Sequence, residues 1–516
     1  MSAATERTQW CFADQLGPHF VDDDVERVLL VEATANFRRR TYHRRKAHLI
    51  LSALRHRAAA EPHRVRLVRA ESYSAALTEF APSPGRPLLV RDPTSFAARR
   101  FVRRLAAGEV DGVPKGAVDV LPERGFVATP QEFARWADSR GGRRLLMEDF
   151  YRGQRRRHGL LLEPDGLPAG GSWNFDADNR RPPPAGVTRL ADAEELAEPW
   201  WPEEDEIDAE VRRDLERLVT TGVRFVGEDG PRRFAVTREE AVAALDRFVT
   251  GRLAQFGPYE DAMLAEDRWL AHSLLSVPLN LGLLDPLEVV REAEAAYRGG
   301  RAPLASVEGF IRQVVGWRDY IWHMYWYAGE SYRDRNALDM TQPLPAWFEE
   351  LDAGREVQAR CLSDVLAGVR EEGWTHHIPR LMVLSNWAAQ RGYDPARVTD
   401  WFHTRFVDGY EWVMTANVIG MAMHADGGLL ATKPYVAGGA YIDRMSDYCG
   451  GCRYNPKVRL GEDACPFTAG YWAYLARNAP ALRDNPRMSR ALAGLGNRHD
   501  LDDVVSQEAA RGSLAP

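Results

Sequence analysis

The chain has 516 residues, 45% of them apolar and 27% charged, which is the composition of a soluble globular protein too long for one core, so two or three domains are expected. Five unevenly spaced cysteines, no basic-then-apolar leader and no apolar run near about twenty residues exclude a secreted disulfide framework and a membrane span; they predict a cytoplasmic protein with no membrane partner. A formal net charge of −7 excludes a surface that is basic all round but leaves room for one local basic face.

In chain order, short apolar runs come first. "WCFADQL", "RVLLVEA", "RVRLVRA", "PLLVRD" and "AVDVLP" read as strands, and "YHRRKAHLILSALRHRAAA" has the spacing of a helix. Their alternation predicts a parallel sheet with helices on both faces over residues 1–122. Asp14 and Glu32 fall at the ends of the first two strands, where open α/β sheets bind ligands. No G-x-G-x-x-G loop follows the first strand, which argues against a Rossmann-bound cofactor there. Residues 123–205, rich in Pro, Gly and Arg, read as a connector long enough to be a binding loop. Beyond 205 the strands give way to amphipathic helical patterns up to residue 516.

Basic runs occur at "RRRTYHRRK", "RRFVRR" and "RGQRRRH", each by itself a solvated helix face. In the helical half, "GWTHHIPRLM" suggests a helix capped by Thr375, with Pro379 in its first turn and Ile378, Leu381, Met382 and Ser385 facing inward. His376 and His377 then sit at its positive end, which favours neutral imidazole; read alone they are capping or core residues. Ser273 and Ser276, with the break at Pro278, supply a helix terminus suited to phosphate, although such serines are commonly plain caps. Cys449-x2-Cys452, with Cys465 and the distant Cys361, forms a set of four thiols that in a reducing compartment suits a metal. Spacing does not separate tetrahedral zinc from an iron–sulfur cluster, although Cys465-Pro466 resembles the Cys-Pro ending of some cluster motifs.

Several long motifs together resemble one family. "HSLLSVPLNLGLLDP", "FIRQVVGWRDYIWHMYW" and "WFHTRFVDGYEWVMTANVIGM" resemble the flavin-binding region of the photolyase and cryptochrome superfamily. With "MEDFYRGQRRRHGLLLEPDG", "GSWNFDADNRRPPP" and the four cysteines, the chain resembles the iron–sulfur bacterial photolyases and cryptochromes, the prokaryotic (6-4) photolyase group, over nearly its whole length.

The resemblance implies the photolyase/cryptochrome fold: an α/β amino-terminal domain, the connector, and an all-α FAD-binding domain from 206 to 516. It implies FAD near Tyr259, Ser273, Leu275, Ser276, Gln313, Arg318 and Asn417, and a [4Fe–4S] cluster on Cys361, Cys449, Cys452 and Cys465. Gly450 and Gly451 would let backbone N–H groups point at sulfur there. Asp14 and Glu32 would mark a 6,7-dimethyl-8-ribityllumazine antenna, although the basic and polar stretch from Asn36 to Tyr42 departs from what that pocket is expected to hold. The expected partner is UV-damaged DNA, met by a monomer: Trp317, Tyr435 and Tyr441 would line the lesion pocket, and the "RGQRRRH" run with Arg180 and Arg181 would hold phosphates. The implied reaction is light-dependent repair of (6-4) photoproducts, with His377 as proton donor and His376 as its partner. Among 15 tryptophans Trp401 is the one placed in an electron relay; relatives carry further aromatics where this chain has Ala353 and Phe402. Two other classes are a blue-light photoreceptor without repair activity and a zinc-bound DNA-binding protein without flavin.

Overall fold

The computed structural model describes residues 7–351 and 356–516. Among the described residues seven strands form: β1 (Thr8–Cys11), β2 (Arg27–Ala33), β3 (Tyr42–His43), β4 (Val65–Ala70), β5 (Leu88–Arg91), β6 (Val118–Leu121) and β7 (Phe225–Val226). Five of them make one parallel sheet in the order β4-β2-β1-β5-β6. Its central strands read as continuous apolar runs because helices cover them; β2 is buried from Val28 to Ala33. The core of this sheet gathers Trp10, Leu29, Val31, Val68, Leu88, Val90 and Val118 with Leu77 and Leu105 from the covering helices. The chain leaves β1 towards β2 and β4, then returns to the other side of β1 for β5 and β6, so the strand order reverses between β1 and β5.

The chain divides into two compact units. The first holds the residues up to Val127 together with Pro199–Arg247 and Leu274–Val289; the second holds Ala128–Glu198, Phe248–Ser273 and Val290–Pro516. This partition differs from a division at 122 and 205. The expected connector contains helices Pro130–Ser139 and Met147–His158, and most of it belongs to the second unit. Conversely, helix Glu206–Thr220 belongs with the sheet because its apolar stripe, Val211 and Leu215, packs with Ala47 and Leu51 of helix Arg44–Ala60. Ser52 donates to the buried Asp208 between them at 2.8 Å. Strands also do not end at residue 205: β7 pairs in parallel with β3, Tyr42 opposite Phe225 and His43 opposite Val226. Two residues flanked by a turn carry too little alternation to be read as a strand from sequence.

The second unit is helical, and three of its helices widen into π-helical segments at Arg312–Arg318, Pro379–Ser385 and Ala416–Ala422. No helix among the described residues is long and apolar enough to cross a membrane.

Candidate active site

Three histidines of the second unit come together. Helix 379–391 begins in the turn after helix Arg360–Glu372, which ends at Gly373 with positive φ. The turn between them is held by Thr375's carbonyl, not its hydroxyl: it accepts from Arg380 Nε at 2.7 Å. Arg380 also forks onto both carboxylate oxygens of Asp408 at 3.0 Å. His376 thereby points into the interior, where its ring stacks on His272 with centroids 4.2 Å apart and planes 23° apart. Beside them Trp269 stacks on Trp374 at 4.9 Å. His377 points the other way. Its side chain is 46% exposed, and its Nε2 lies 3.6 Å from Asp261 Oδ1.

The electrostatics of the three differ sharply. Burial pushes both His272 and His376 well below the usual histidine range, and the positive charges of His377 and Arg380 push the same way. Both rings therefore stay neutral. Next to Asp261, burial raises the carboxyl of Glu260 to about 7 against the opposing charges of His377 and Arg312. Tyr441 is raised by burial and then by the Asp261 charge, and Tyr435 by burial and Asp176, while Arg180 opposes the shift at both.

Sequence reasoning passed over His272, Glu260 and Asp261. His272 opens one of the motifs quoted above, but nothing local distinguishes it; its role depends on meeting a ring 104 positions later in the chain.

The residues expected around a flavin fall on two units. Tyr259, Ser273, Gln313, Arg318 and Asn417 lie in the second, whereas Leu275 and Ser276 lie in the Leu274–Val289 segment of the first. Gln313, Trp317 and Arg318 all lie on one π-helical segment and Asn417 on another, where Asn417 Nδ2 donates to Val413 O at 2.8 Å. Such widened turns are frequent at functional sites because they turn side chains out of the α-helical register. Tyr259 donates to Glu194, and burial followed by that carboxylate raises its hydroxyl to about 12.

Of the basic run "RGQRRRH", Arg155 is turned inside the unit while Arg156 and Arg157 stay exposed. Arg155 is fully buried, donating to the carbonyls of Leu160, Leu161 and Trp173, and it lies over the Trp173 ring together with Arg156. A buried guanidinium cannot reach a phosphate, so Arg155 is no DNA contact. Arg180 and Arg181 are exposed.

The four thiols converge. Cys361 sits in the first turn of helix Arg360–Glu372 and lines one apolar pocket with Cys449, Cys452, Cys465, Ile442, Tyr454 and Phe467. Burial pushes the Cys361 thiol well up, and the charges of the other three cysteines push it further; Cys449 is raised to about 12. Four soft donors that repel one another as thiolates fit a positively charged soft metal centre. Gly439 is needed here, since a Cβ on it would come within 2.8 Å of Cys465 Sγ. Gly450 and Gly451 are not needed for their conformational freedom: neither has positive φ, and Gly451 instead leaves room for Arg360.

Trp401 is buried, and its Nε1 donates to Phe348 O at 3.1 Å while the two rings lie 4.7 Å apart. Phe402 stacks on Phe406, and Ala353 lies outside the described residues. At the β1/β5 reversal, Thr94 donates to Asp14 Oδ2 at 2.5 Å, and Asp14 Oδ1 is enclosed without a partner. Glu32 is not available in the same way, because Arg55 grips both its oxygens at 2.7 and 3.0 Å. Asn36, in the polar stretch, hydrogen-bonds Tyr73, which packs with Trp10 and Phe12.

Residues 9–223 match the family described as deoxyribodipyrimidine photo-lyase-related protein. A (6-4) photolyase of Agrobacterium fabrum is 40% identical over 515 residues, covering 95% of this chain and 96% of that protein. Among solved structures, a bacterial class III photolyase from Agrobacterium tumefaciens covers 94% of this chain and 99% of its own, with a TM-score of 0.59 and 14% identity. A Synechocystis cryptochrome covers 98% of both chains with a TM-score of 0.57 and 12% identity. The last two show a shared fold.

Proposed function

The chain belongs to the photolyase-related family, and from that premise we propose that it repairs pyrimidine–pyrimidone (6-4) photoproducts in DNA under light, with His377 as the proton donor. The observation that carries this reading is the division of labour among the histidines: two rings held neutral by burial, and a third exposed beside Asp261. Membership implies a flavin cofactor, which when bound supplies the electron that light drives into the lesion. Tyr259, Ser273, Leu275, Ser276, Gln313, Arg318 and Asn417 would hold it as FAD, and Trp401 would pass electrons towards it.

The remaining work falls to this chain's own side chains. A lesion inside a duplex must leave the stack to be reached, which costs least where damage has already weakened pairing. Arg180 and Arg181 hold its phosphates, and Trp317, Tyr435 and Tyr441 receive the extruded bases. His377, with its Nε2 3.6 Å from Asp261 Oδ1 and its side chain half exposed, presents the imidazole that gives the lesion its proton. The stacked, uncharged His376 and His272 rings lie beneath the exposed His377. A [4Fe–4S] cluster on Cys361, Cys449, Cys452 and Cys465 ties the carboxy-terminal segment to helix Arg360–Glu372. A ribityl-lumazine antenna is assigned to the sheet reversal at Asp14; a second chromophore released on denaturation supports it, and FAD alone removes it.

The decisive experiment compares light-dependent repair and damaged-DNA affinity for the wild type and His377→Ala. Repair is expected to fall by two or more orders of magnitude, the usual cost of losing a positioned acid, with affinity and flavin content retained. Unchanged repair removes His377 from the mechanism. Absence of repair in both proteins, with flavin photoreduction intact, identifies a photoreceptor instead.

A further inference from the structure

The three histidines of the second unit do more than present one acid. His272, His376 and His377 each offer a ring nitrogen, and the three nitrogens lie within 4.8 Å of one another. His272 and His376 are 7% and 4% exposed, and the Nε2 of the first and the Nδ1 of the second are enclosed without a hydrogen-bond partner. A buried ring nitrogen without a partner is uncommon in a folded protein and points to a bound water or ion. Burial holds both rings neutral, and neutral imidazole is the form that binds a metal. The reaction described above uses His377 and gives those two enclosed nitrogens no task.

We propose that His272, His376 and His377 form a binding site for a divalent transition metal of the zinc class, and that metal held there switches repair off. Three imidazole nitrogens suit zinc, copper or nickel and do not suit magnesium or calcium, which take oxygen ligands. Zinc–nitrogen bonds of about 2.1 Å set neighbouring ligand atoms about 3.4 Å apart. The nitrogens therefore draw in by about 1.4 Å at most, His272 and His376 turning out of their stack as they do. His377, with its side chain 46% exposed, gives the ion a way in, and the fourth position is left to water. Asp261 Oδ1 lies 3.6 Å from Nε2 of His377, which leaves Nδ1 of that ring for the metal and places a carboxylate behind it, as is usual for metal-bound histidines. An imidazolium carries a proton on both nitrogens, so His377 on a metal is no longer the acid. That consequence rests on the donor role proposed for His377, whereas the metal site itself does not.

The probe is zinc chloride, added to flavin-loaded, iron-replete protein so that the four thiols are already taken. Equilibrium dialysis should find one zinc per chain that magnesium does not displace. X-ray absorption at the zinc edge should show nitrogen or oxygen neighbours at about 2.0–2.1 Å and no sulfur at about 2.3 Å. His272→Phe and His376→Phe each keep a flat ring in place and should weaken that zinc by more than the roughly ten- to hundredfold expected for Asp261→Asn. Light-dependent repair by the wild type should fall at least about tenfold at saturating zinc and return on chelation. His272→Phe, judged against its own zinc-free rate, should escape that inhibition at the same concentration. Unchanged zinc stoichiometry and affinity in the ring variants means surface binding only and overturns the site, as does sulfur in the zinc shell. If one variant does not fold, the other and the absorption spectrum of the wild type decide. Repair undisturbed with the zinc bound overturns the switch. If the wild type repairs nothing, zinc lost from the ring variants still supports the site, and the repair reading is what falls.

Discussion

The thiol pocket and the histidine pocket of the second unit face the same penalty, ionisable groups taken out of water, and resolve it in opposite ways. Around Cys361 four like groups converge on one point, and their mutual repulsion adds to desolvation. Either the thiols stay protonated or a positive centre binds the thiolates. Around His376 the groups segregate: His272 and His376 surrender their charge to burial, while His377 keeps solvent on one side and Asp261 on the other. Convergence therefore makes a site suited to a metal, on which folding is proposed to depend, whereas segregation leaves two neutral rings inside and one imidazole at the surface.

The largest expected effect breaks the first half of this comparison. Cys452→Ala should lose iron and most soluble protein together, because the three remaining thiols are left without a complete coordination sphere. Iron per chain and soluble yield measure it, and a soluble, iron-replete variant would sink the assignment of the four cysteines.

A moderate effect sharpens the second half. His272→Phe keeps the stacked ring and removes an enclosed, unpartnered Nε2, so repair should stay within about threefold of wild type and stability within about 1 kcal/mol at pH 8. The difference appears on acidification. A histidine depressed in the folded state is neutral in both states above 6.5; below that the unfolded chain gains a proton the native chain refuses, and stability falls. Each such ring contributes up to about 1.4 kcal/mol per pH unit, so the variant should lose stability less steeply below 6.5. Glu260 runs the other way: its pKa rises from 4.5 to about 7, so the stability its proton contributes is complete below 4.5 and is lost as pH climbs towards 7. Denaturant midpoints across this range, in the wild type and His272→Phe, check both signs; identical slopes would show that His272 titrates normally.

The smallest effect concerns the rim. Arg180 is exposed and its charge reaches Tyr435 and Tyr441, so Arg180→Ala should weaken binding to damaged and undamaged DNA alike by a few fold and reduce the salt slope by about one. Salt-dependent titrations measure it, and a loss confined to damaged DNA would instead make Arg180 a lesion contact.

Contiguous pattern is what the sequence by itself determined. The alternation of apolar runs and helical spacings laid out the five-stranded sheet and the helical second half, and Cys449, Cys452 and Cys465 announced a thiol site within one short stretch, because strand period, helix period and ligand spacing are properties of neighbouring residues. The tertiary structure alone decided which groups carry charge and which segments belong together. Helix Glu206–Thr220 joins the sheet unit because its apolar stripe finds helix Arg44–Ala60, and Arg155 leaves the basic face because three carbonyls and Trp173 take it inward. The π-helical turns under Gln313, Pro379 and Asn417 have ordinary helical spacing in sequence. His376 and His377 are adjacent and chemically identical, yet one is neutral and buried while the other faces water. Burial and the distance to His272 and Asp261 set that difference, and both depend on partners more than a hundred residues away.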